Sequence, residues 1–411
     1  MNNPSPVISF DNTQRAFQHK SDEELKKARF LFSMMSNPAL VKLGARLTPL
    51  ALRMGLPIKG LLRKTLFAQF IGGETLEQTA QVAQKLAQHN VKVILDYGVE
   101  GKEGETNFDK ACQVFLKVID HAALEPNIPF MSVKVTGFAR FGLLEMLHQK
   151  MTSFSLPLLE RYEAMLATLP MELREEWSRV CNRVETVCIY AASKNISVSI
   201  DAEETWIQEP LDALVTLMME KCNKTRPIVY NTLQHYRHDR LAFLEESHRI
   251  AKQRNFIAGM KLVRGAYMEK ERKRAAEMGY PSPINPDKNA TDQDYNAGVT
   301  YCIEHIDRIA VVVASHNEYS NLLATQLLQK KGLPLDHPHV HWSQLYGMSD
   351  NITFNLAQAG CSVSKYLPFG PLGDVVPYLM RRAQENTSVK GQTGRELGLI
   401  QKELDRRKHS A

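Results

Sequence analysis

Ile309-Ala310-Val311-Val312-Val313-Ala314-Ser315-His316-Asn317 is an apolar run that stops on three polar residues, and a helix-like segment over 319–331 follows directly. A run of this length, rich in β-branched residues, predicts a strand, and the segment behind it predicts the helix of a βα unit. The same unit recurs from about residue 91 onward. Apolar runs stand at 91–95, 131–135, 196–200, 228–230, 260–263, 309–314, 340–342 and 363–367, with helical stretches between them such as 211–222, 241–252 and 375–386. Eight strand–helix pairs over about 300 residues fit an α/β fold of the closed (β/α)8 type better than an open doubly wound sheet. The region 155–195, ahead of the third strand, is long enough to hold an extra helix. Neither GxGxxG nor GxxxxGK[ST] occurs, so the chain lacks a Rossmann fingerprint and a P-loop.

The strand ends carry the chemistry expected of such a barrel. They read Asp96-Tyr97, Lys134-Val135-Thr136, Asp201-Ala202-Glu203-Glu204, Asn231-Thr232-Leu233-Gln234, Arg264-Gly265-Ala266-Tyr267, Ser315-His316-Asn317, Gln344-Leu345-Tyr346-Gly347-Met348 and Tyr366. Core packing alone does not ask for polar residues after every apolar strand, whereas an active site at the C-terminal face does. Singly, each has a plainer use: Asp201 or Asn317 as a helix N-cap, Gly347 as a turn residue, His316 as a structural histidine.

A second signal follows the eighth run. In Tyr378-Leu379-Met380-Arg381-Arg382-Ala383-Gln384-Glu385-Asn386, positions 378, 381, 382 and 385 share one face of a helix. Two adjacent guanidiniums on that face suit a planar carboxylate or a phosphate, through paired donors. The Tyr366-Leu367-Pro368-Phe369-Gly370-Pro371 strand end and turn feed this helix directly.

At 411 residues the chain has room for one large domain with a helical region over 1–90, a barrel over 91–390 and a basic tail over 391–411. No eighteen-residue apolar run and no secretory or transit signal stands in it, which predicts a cytoplasmic protein. The cysteines are scattered without CxxC spacing, which predicts reduced thiols and no structural zinc. Net charge is only +6, but no acidic residue lies between Glu24 and Glu74, while nine Lys and Arg do, interleaved with Leu, Met and Phe. Such a segment is either a solvated helical subdomain or a peripheral contact to an anionic inner membrane. No nucleic-acid motif accompanies the charge.

Together these motifs resemble the proline dehydrogenase family, in its stand-alone, eukaryote-like branch. The resemblance is carried in order by Ser199-Ile200-Asp201-Ala202-Glu203-Glu204, Lys261-Leu262-Val263-Arg264-Gly265-Ala266-Tyr267, the Tyr280-Pro281-Ser282-Pro283-Ile284-Asn285-Pro286 loop, Ala314-Ser315-His316-Asn317, Gln344-Leu345-Tyr346-Gly347-Met348 and the 378–386 motif. The chain is too short for the second dehydrogenase domain of bifunctional bacterial relatives. The resemblance implies a distorted (β/α)8 barrel whose last helix covers the strand ends. It also implies a noncovalent FAD and oxidation of L-proline to Δ1-pyrroline-5-carboxylate by hydride transfer to flavin N5, with reoxidation by a membrane quinone. The alternative within the family is a hydroxyproline or related cyclic-amine dehydrogenase.

By matched position the resemblance gives Gln234, Lys261, Val263, Arg264, Gly265, Ala266, Thr291, His316, Asn317 and Glu385 to the cofactor. It gives Lys134, Arg381 and Arg382 to the substrate carboxylate. Tyr267, Leu345, Tyr366 and Tyr378 are to enclose the pyrrolidine ring, with Asp201 beside it. A bulky phenol at 366 favours proline over hydroxyproline. Two positions depart from the family: Met268 replaces a common aromatic, and Lys261 stands where many bacterial members have Arg. No general base stands out, so the substrate proton is expected to leave through water. Outside the family, the competing readings are a metal-dependent hydrolase using Asp201, Glu203 and His316, and a non-catalytic membrane adaptor.

Overall fold

A computed structural model describes residues 8–54, 57–98, 103–388 and 392–410. Eight strands, β1 (Lys92–Tyr97), β2 (Phe130–Val133), β3 (Ser197–Ile200), β4 (Val229–Gln234), β5 (Ala258–Val263), β6 (Ile309–Ala314), β7 (Val340–Leu345) and β8 (Val363–Phe369), pair in parallel in sequence order. β8 closes on β1, with Ile94 opposite Tyr366. The chain therefore forms a closed (β/α)8 barrel.

Period-two alternation sorts the strand residues. Leu95, Val133, Ile200, Leu233, Leu262, Val313 and Leu367 face the helices and form the main core. Ile94, Phe130, Tyr230, Ala310 and Val312 fill the barrel interior. Continuing the inner row toward the C-terminal ends brings Asp96, Lys134, Asp201, Gln234, Lys261 and Tyr366 to the mouth. The alternation that hides the core thus also aims the polar groups inward.

Between β2 and β3 lie three helices, Phe141–Thr152, Leu158–Thr168 and Met171–Ser193. Two helices, Met268–Met278 and Lys288–Glu304, separate β5 from β6, divided by the proline-rich loop.

The last barrel helix departs from the regular pattern. Leu76–Ala87, which precedes β1, packs against β1 and β8, where an eighth helix would otherwise lie. Helix Leu372–Ser388 is displaced over the strand ends. Its Val375, Tyr378, Leu379 and Ala383 are buried against Phe32, Met35, Val41, Phe67 and Phe70 of the N-terminal helices. The stretch read as a basic tail is a helix from Gln392 to Ser410 that packs on Asp22–Met35. Its Leu397, Ile400 and Leu404 recur at helical spacing and join the same cluster. Among the described residues no helix is long and apolar enough to cross a membrane. All six cysteines are free thiols.

Candidate active site

The floor of the barrel mouth is an ionic cluster drawn from five strands. The Lys134 ammonium lies 3.3 Å from Asp96 Oδ1 and 3.4 Å from Asp201 Oδ2. Lys261 pairs with the other oxygen of Asp201. The Tyr366 hydroxyl donates to Asp201 Oδ2 at 2.7 Å and sits 3.0 Å from Ser132 Oγ. Lys261 also lies 5.4 Å from the centre of the Tyr366 ring. Burial raises the pKa of the Asp201 carboxyl, but the charges of Lys261 and Lys134 and the hydrogen bonds from Lys261 and Tyr366 outweigh it and hold the group well below the usual range. The two lysines thus favour the carboxylate form of Asp201 and make it a poor proton acceptor. The plainer reading of Asp201 as an N-cap does not hold, because the Thr205–Cys222 helix starts after Glu204 and the carboxylate faces the lysines. Asn317 is both strand end and cap: its side chain accepts from Ser320 N at 3.1 Å.

Two carboxylates balance two ammoniums here, so an incoming anion needs further cations. Helix Leu372–Ser388 brings them. The charge of Arg381 acts on Tyr267 at the end of β5, and that of Arg382 acts on His316 at the end of β6. The Arg382 guanidinium lies 5.2 Å from the centre of the Tyr378 ring. Leu345 packs against the apolar cluster beneath this helix. The Glu385 side chain lies outside the described residues.

Of the residues matched to the cofactor, Gln234, Lys261, Val263, Arg264, Gly265, Ala266, His316 and Asn317 lie at the β4, β5 and β6 ends, and Thr291 lies in the Lys288–Glu304 helix. Gln234 Nε2 donates to the Glu203 carbonyl at 2.7 Å. Arg264 bonds Asp292, Ser315 and Ser320 and stacks 3.9 Å from the centre of the Tyr295 ring, which fixes its orientation. After Val263 the chain turns through Gly265 (φ +86°) and Ala266 (φ +66°), two successive left-handed residues. Open space surrounds Gly265: a Cβ there would meet no atom within 4 Å. Thr291 is buried, its hydroxyl on the Asp287 carbonyl at 3.1 Å. His316 Nδ1 lies 2.8 Å from Ser349 Oγ, and burial, helped by Lys365 and Arg382, pushes its pKa down to about 3. The imidazole is therefore neutral.

Asp96 and Glu203 stand among the strand ends without a role of their own in the family resemblance, and Ser132 is visible only once alternation assigns it inward. Glu203 is buried and accepts from Thr136 Oγ1 at 2.7 Å. Burial pushes its carboxyl up to about 7 against the opposing pull of Thr136 and Lys134. Ser349, which touches His316, stands outside every motif.

A closed barrel with an ionic floor and a basic helix laid over its mouth defines an enzyme built for a small anionic substrate. The family model described as proline dehydrogenase matches residues 79–395, and the chain belongs to that family. It is 37% identical to the carbapenem antibiotics biosynthesis protein CarD of Pectobacterium carotovorum subsp. carotovorum, over 82% of this chain and 83% of that protein. It is 30% identical to hydroxyproline dehydrogenase of Xenopus laevis over 95% and 88%, and 39% identical to human mitochondrial proline dehydrogenase 1 over 60% and 41%. Among solved structures it resembles proline utilization A from Bdellovibrio bacteriovorus inactivated by N-propargylglycine, with a TM-score of 0.71 and 18% identity. That match covers 93% of this chain and 42% of the other, and it speaks for the fold.

Proposed function

We propose that this chain is an FAD-dependent dehydrogenase that oxidises L-proline to Δ1-pyrroline-5-carboxylate and passes the electrons to a membrane quinone. The observation that carries the reading is the paired arrangement of the Asp96–Lys134–Asp201–Lys261–Tyr366 floor and the Arg381–Arg382 helix above it. When bound, FAD supplies the two-electron acceptor. The residues present fit it: Arg264 is a fixed cation suited to a pyrophosphate, while Gln234 and neutral His316 are uncharged donors suited to a ring system. Among the described residues His316 Nε2 makes no hydrogen bond, and the turn at Gly265 is open. Lys261 is engaged by Asp201, which favours a place under the cofactor over a direct bond to it.

Lys134, Arg381 and Arg382 hold the substrate carboxylate. Burial lowers the pKa of the Lys134 ammonium, but Asp96 and Asp201 reverse that and raise it well above the usual range, so the charge persists. Three cations around the carboxylate also disfavour the protonated amine, which exposes the nitrogen lone pair. Tyr267, Leu345, Tyr366 and Tyr378 exclude water around the ring. With Asp201 held as a carboxylate, the amine proton leaves through water. A pH–rate profile that loses its acidic limb in Asp201→Asn would remove that point.

Tyr366 sets specificity. Its hydroxyl is anchored by Asp201 and Ser132, so the ring is a fixed wall against a hydroxylated substrate. Tyr366→Ser is expected to gain hydroxyproline turnover; no gain removes this role.

The chain is read as cytoplasmic with a peripheral membrane contact, and the N-terminal helices supply its surface. Phe30, Leu40, Leu43, Leu47 and Leu61 are exposed there beside Lys42, Arg46, Lys59 and Lys64. The C-terminal helix fits that role less well. Its Arg395 pairs with Asp11 and Glu318, and its Arg407 with Asp22 and Glu403. Flotation with anionic vesicles at low salt tests this, and no binding would leave a soluble acceptor.

The deciding experiment is an anaerobic absorption spectrum before and after L-proline. Flavin bands that bleach with proline and not with hydroxyproline are expected. Bands indifferent to proline would point to the hydroxyproline or cyclic-amine alternative, and no flavin after reconstitution would end the reading. The hydrolase reading finds no support in the geometry. Asp201 and His316 are engaged by lysines and by Ser349, and no metal-binding cluster is found among the described residues.

A further inference from the structure

The loop after β7, Tyr346-Gly347-Met348-Ser349-Asp350, is gripped from three sides. From the N-terminal side, Gln69 Nε2 donates to the Gly347 carbonyl at 2.6 Å, and the Gln69 carbonyl packs so close that a Cβ on Gly347 would lie 2.0 Å from it. Lys20 pairs with Asp350 at 2.7 Å. From β8, Lys365 donates to the Met348 carbonyl at 2.6 Å and pairs with Asp350 at 2.8 Å. From the C-terminal helix, buried Glu396 accepts the backbone N–H of Ser349. Lys20, Gln69 and Glu396 all lie outside the 79–395 stretch that matches the family.

Ser349 occupies the left-handed region, φ +50°, a conformation that a non-glycine residue holds only when its surroundings impose it. The Glu396 carboxyl accepts the Ser349 N–H and so is one of the contacts that hold it there. The backbone so fixed carries Ser349 Oγ to 2.8 Å from His316 Nδ1. A neutral imidazole has one N–H and one lone pair, and the partner on Nδ1 decides which of them Nε2 presents. Nε2 is the atom left for a ligand at the barrel mouth.

From this geometry we infer that Glu396 is a positioning residue for the cofactor site: through the backbone of Ser349 it sets the orientation and tautomer of His316. The C-terminal helix is on this account part of the flavin site, though it touches no flavin. The inference rests on the reading of His316 as a flavin-binding residue.

The test is FAD dissociation from the holoenzyme, followed by flavin fluorescence, in Glu396→Ala, Glu396→Gln, His316→Ala and the Glu396→Ala/His316→Ala double variant. Glu396→Ala is expected to raise the FAD Kd about tenfold, in line with loss of a charge-assisted hydrogen bond. Glu396→Gln, whose amide oxygen still accepts from Ser349, is expected to stay within about twofold of wild type. In the His316→Ala background the Glu396→Ala effect is expected to vanish. An effect that persists undiminished there, or no effect of Glu396→Ala at all, overturns the inference. A His316→Ala variant with unchanged FAD Kd overturns instead the reading of His316 on which it rests. Should Glu396→Ala fail to fold, Ser349→Ala cuts the same chain at Oγ and is expected to weaken FAD by a similar factor; an unchanged Kd there refutes the relay.

Discussion

Two buried charge clusters, each of two carboxylates and two lysines, sit about the same barrel and do different work. The floor joins Asp96 and Asp201 to Lys134 and Lys261, and the hub joins Asp350 to Lys20 and Lys365, with Glu396 buried close enough to feel both lysines. The floor is partly open: the Lys134 side chain is 33% exposed. The hub is sealed, with Lys365 and Asp350 almost wholly removed from water. A buried pair is weak evidence for stability, but breaking one partner leaves an uncompensated charge. On the proposed reading, the same composition serves ligand capture where water still reaches it, and holds tertiary structure where water does not.

The largest effect should come from breaking the hub. Asp350→Ala strands Lys20 and Lys365, and a loss of about 3–5 kcal/mol is expected in urea unfolding at neutral pH. The lysines hold the Asp350 carboxyl well below its usual range despite burial. That stabilisation is present above about pH 4 and fades as acid takes the pH down toward the folded pKa, so the gap between variant and wild type should narrow there. Asp96→Ala should be milder, because Lys134 keeps Asp201 and some water. Equal losses at the two sites would erase the distinction drawn between them.

Beside the floor the sign reverses. Glu203 is pushed up to about 7 from 4.5, so its proton stabilises the fold at low pH and that stability is lost as pH rises through this window. Glu203→Gln should flatten the decline, by on the order of 3 kcal/mol between its ends. An unchanged pH–stability curve would mean that Glu203 is as ionised in the folded protein as in the unfolded chain.

Smaller effects separate function from stability. Arg381→Met and Arg382→Met should each lower kcat/KM for proline by about 10- to 150-fold, the worth of a charged hydrogen bond. The loss should fall chiefly on KM, with flavin content retained; a wild-type KM would release the helix from substrate binding. Smallest of all, Arg395→Ala on the hub's own helix breaks only a half-exposed pair with Asp11 and Glu318, and should cost less than about 1 kcal/mol in urea. A larger loss would show that the outer face of that helix holds the hub as firmly as Glu396 does.

The floor was largely legible in the sequence. Lys134, Asp201 and Tyr366 stand at or near the end of an apolar run and Lys261 within one, and the period of two that buries Phe130, Tyr230 and Val312 also turns those side chains inward. Their partners were less so. Asp96 stands at a strand end but without a role read for it, Ser132 belongs to no motif, and pairing Lys261 with Asp201, or Tyr366 with both Ser132 and Asp201, required the barrel's register. The hub was not legible at all. Lys20, Asp350, Lys365 and Glu396 are spread over almost the whole chain, and no local pattern links a lysine near one end to a glutamate near the other. The C-terminal helix was hidden for a related reason: its apolar stripe of Leu397, Ile400 and Leu404 is thin among many charges, which made a basic tail the natural expectation.

By itself, the sequence determined the element order, the inward row of strand-end residues and the arginine face of the 372–388 helix. All three follow from periodicities of two and 3.6 residues, which are local properties of the backbone. Only the tertiary structure decided which charge meets which, that Leu76–Ala87 takes the eighth helix's place beside β1 and β8, and that both chain ends close on Ser349 and Asp350. Burial makes an ionic contact strong or costly, and burial is a property of elements distant in the chain coming together.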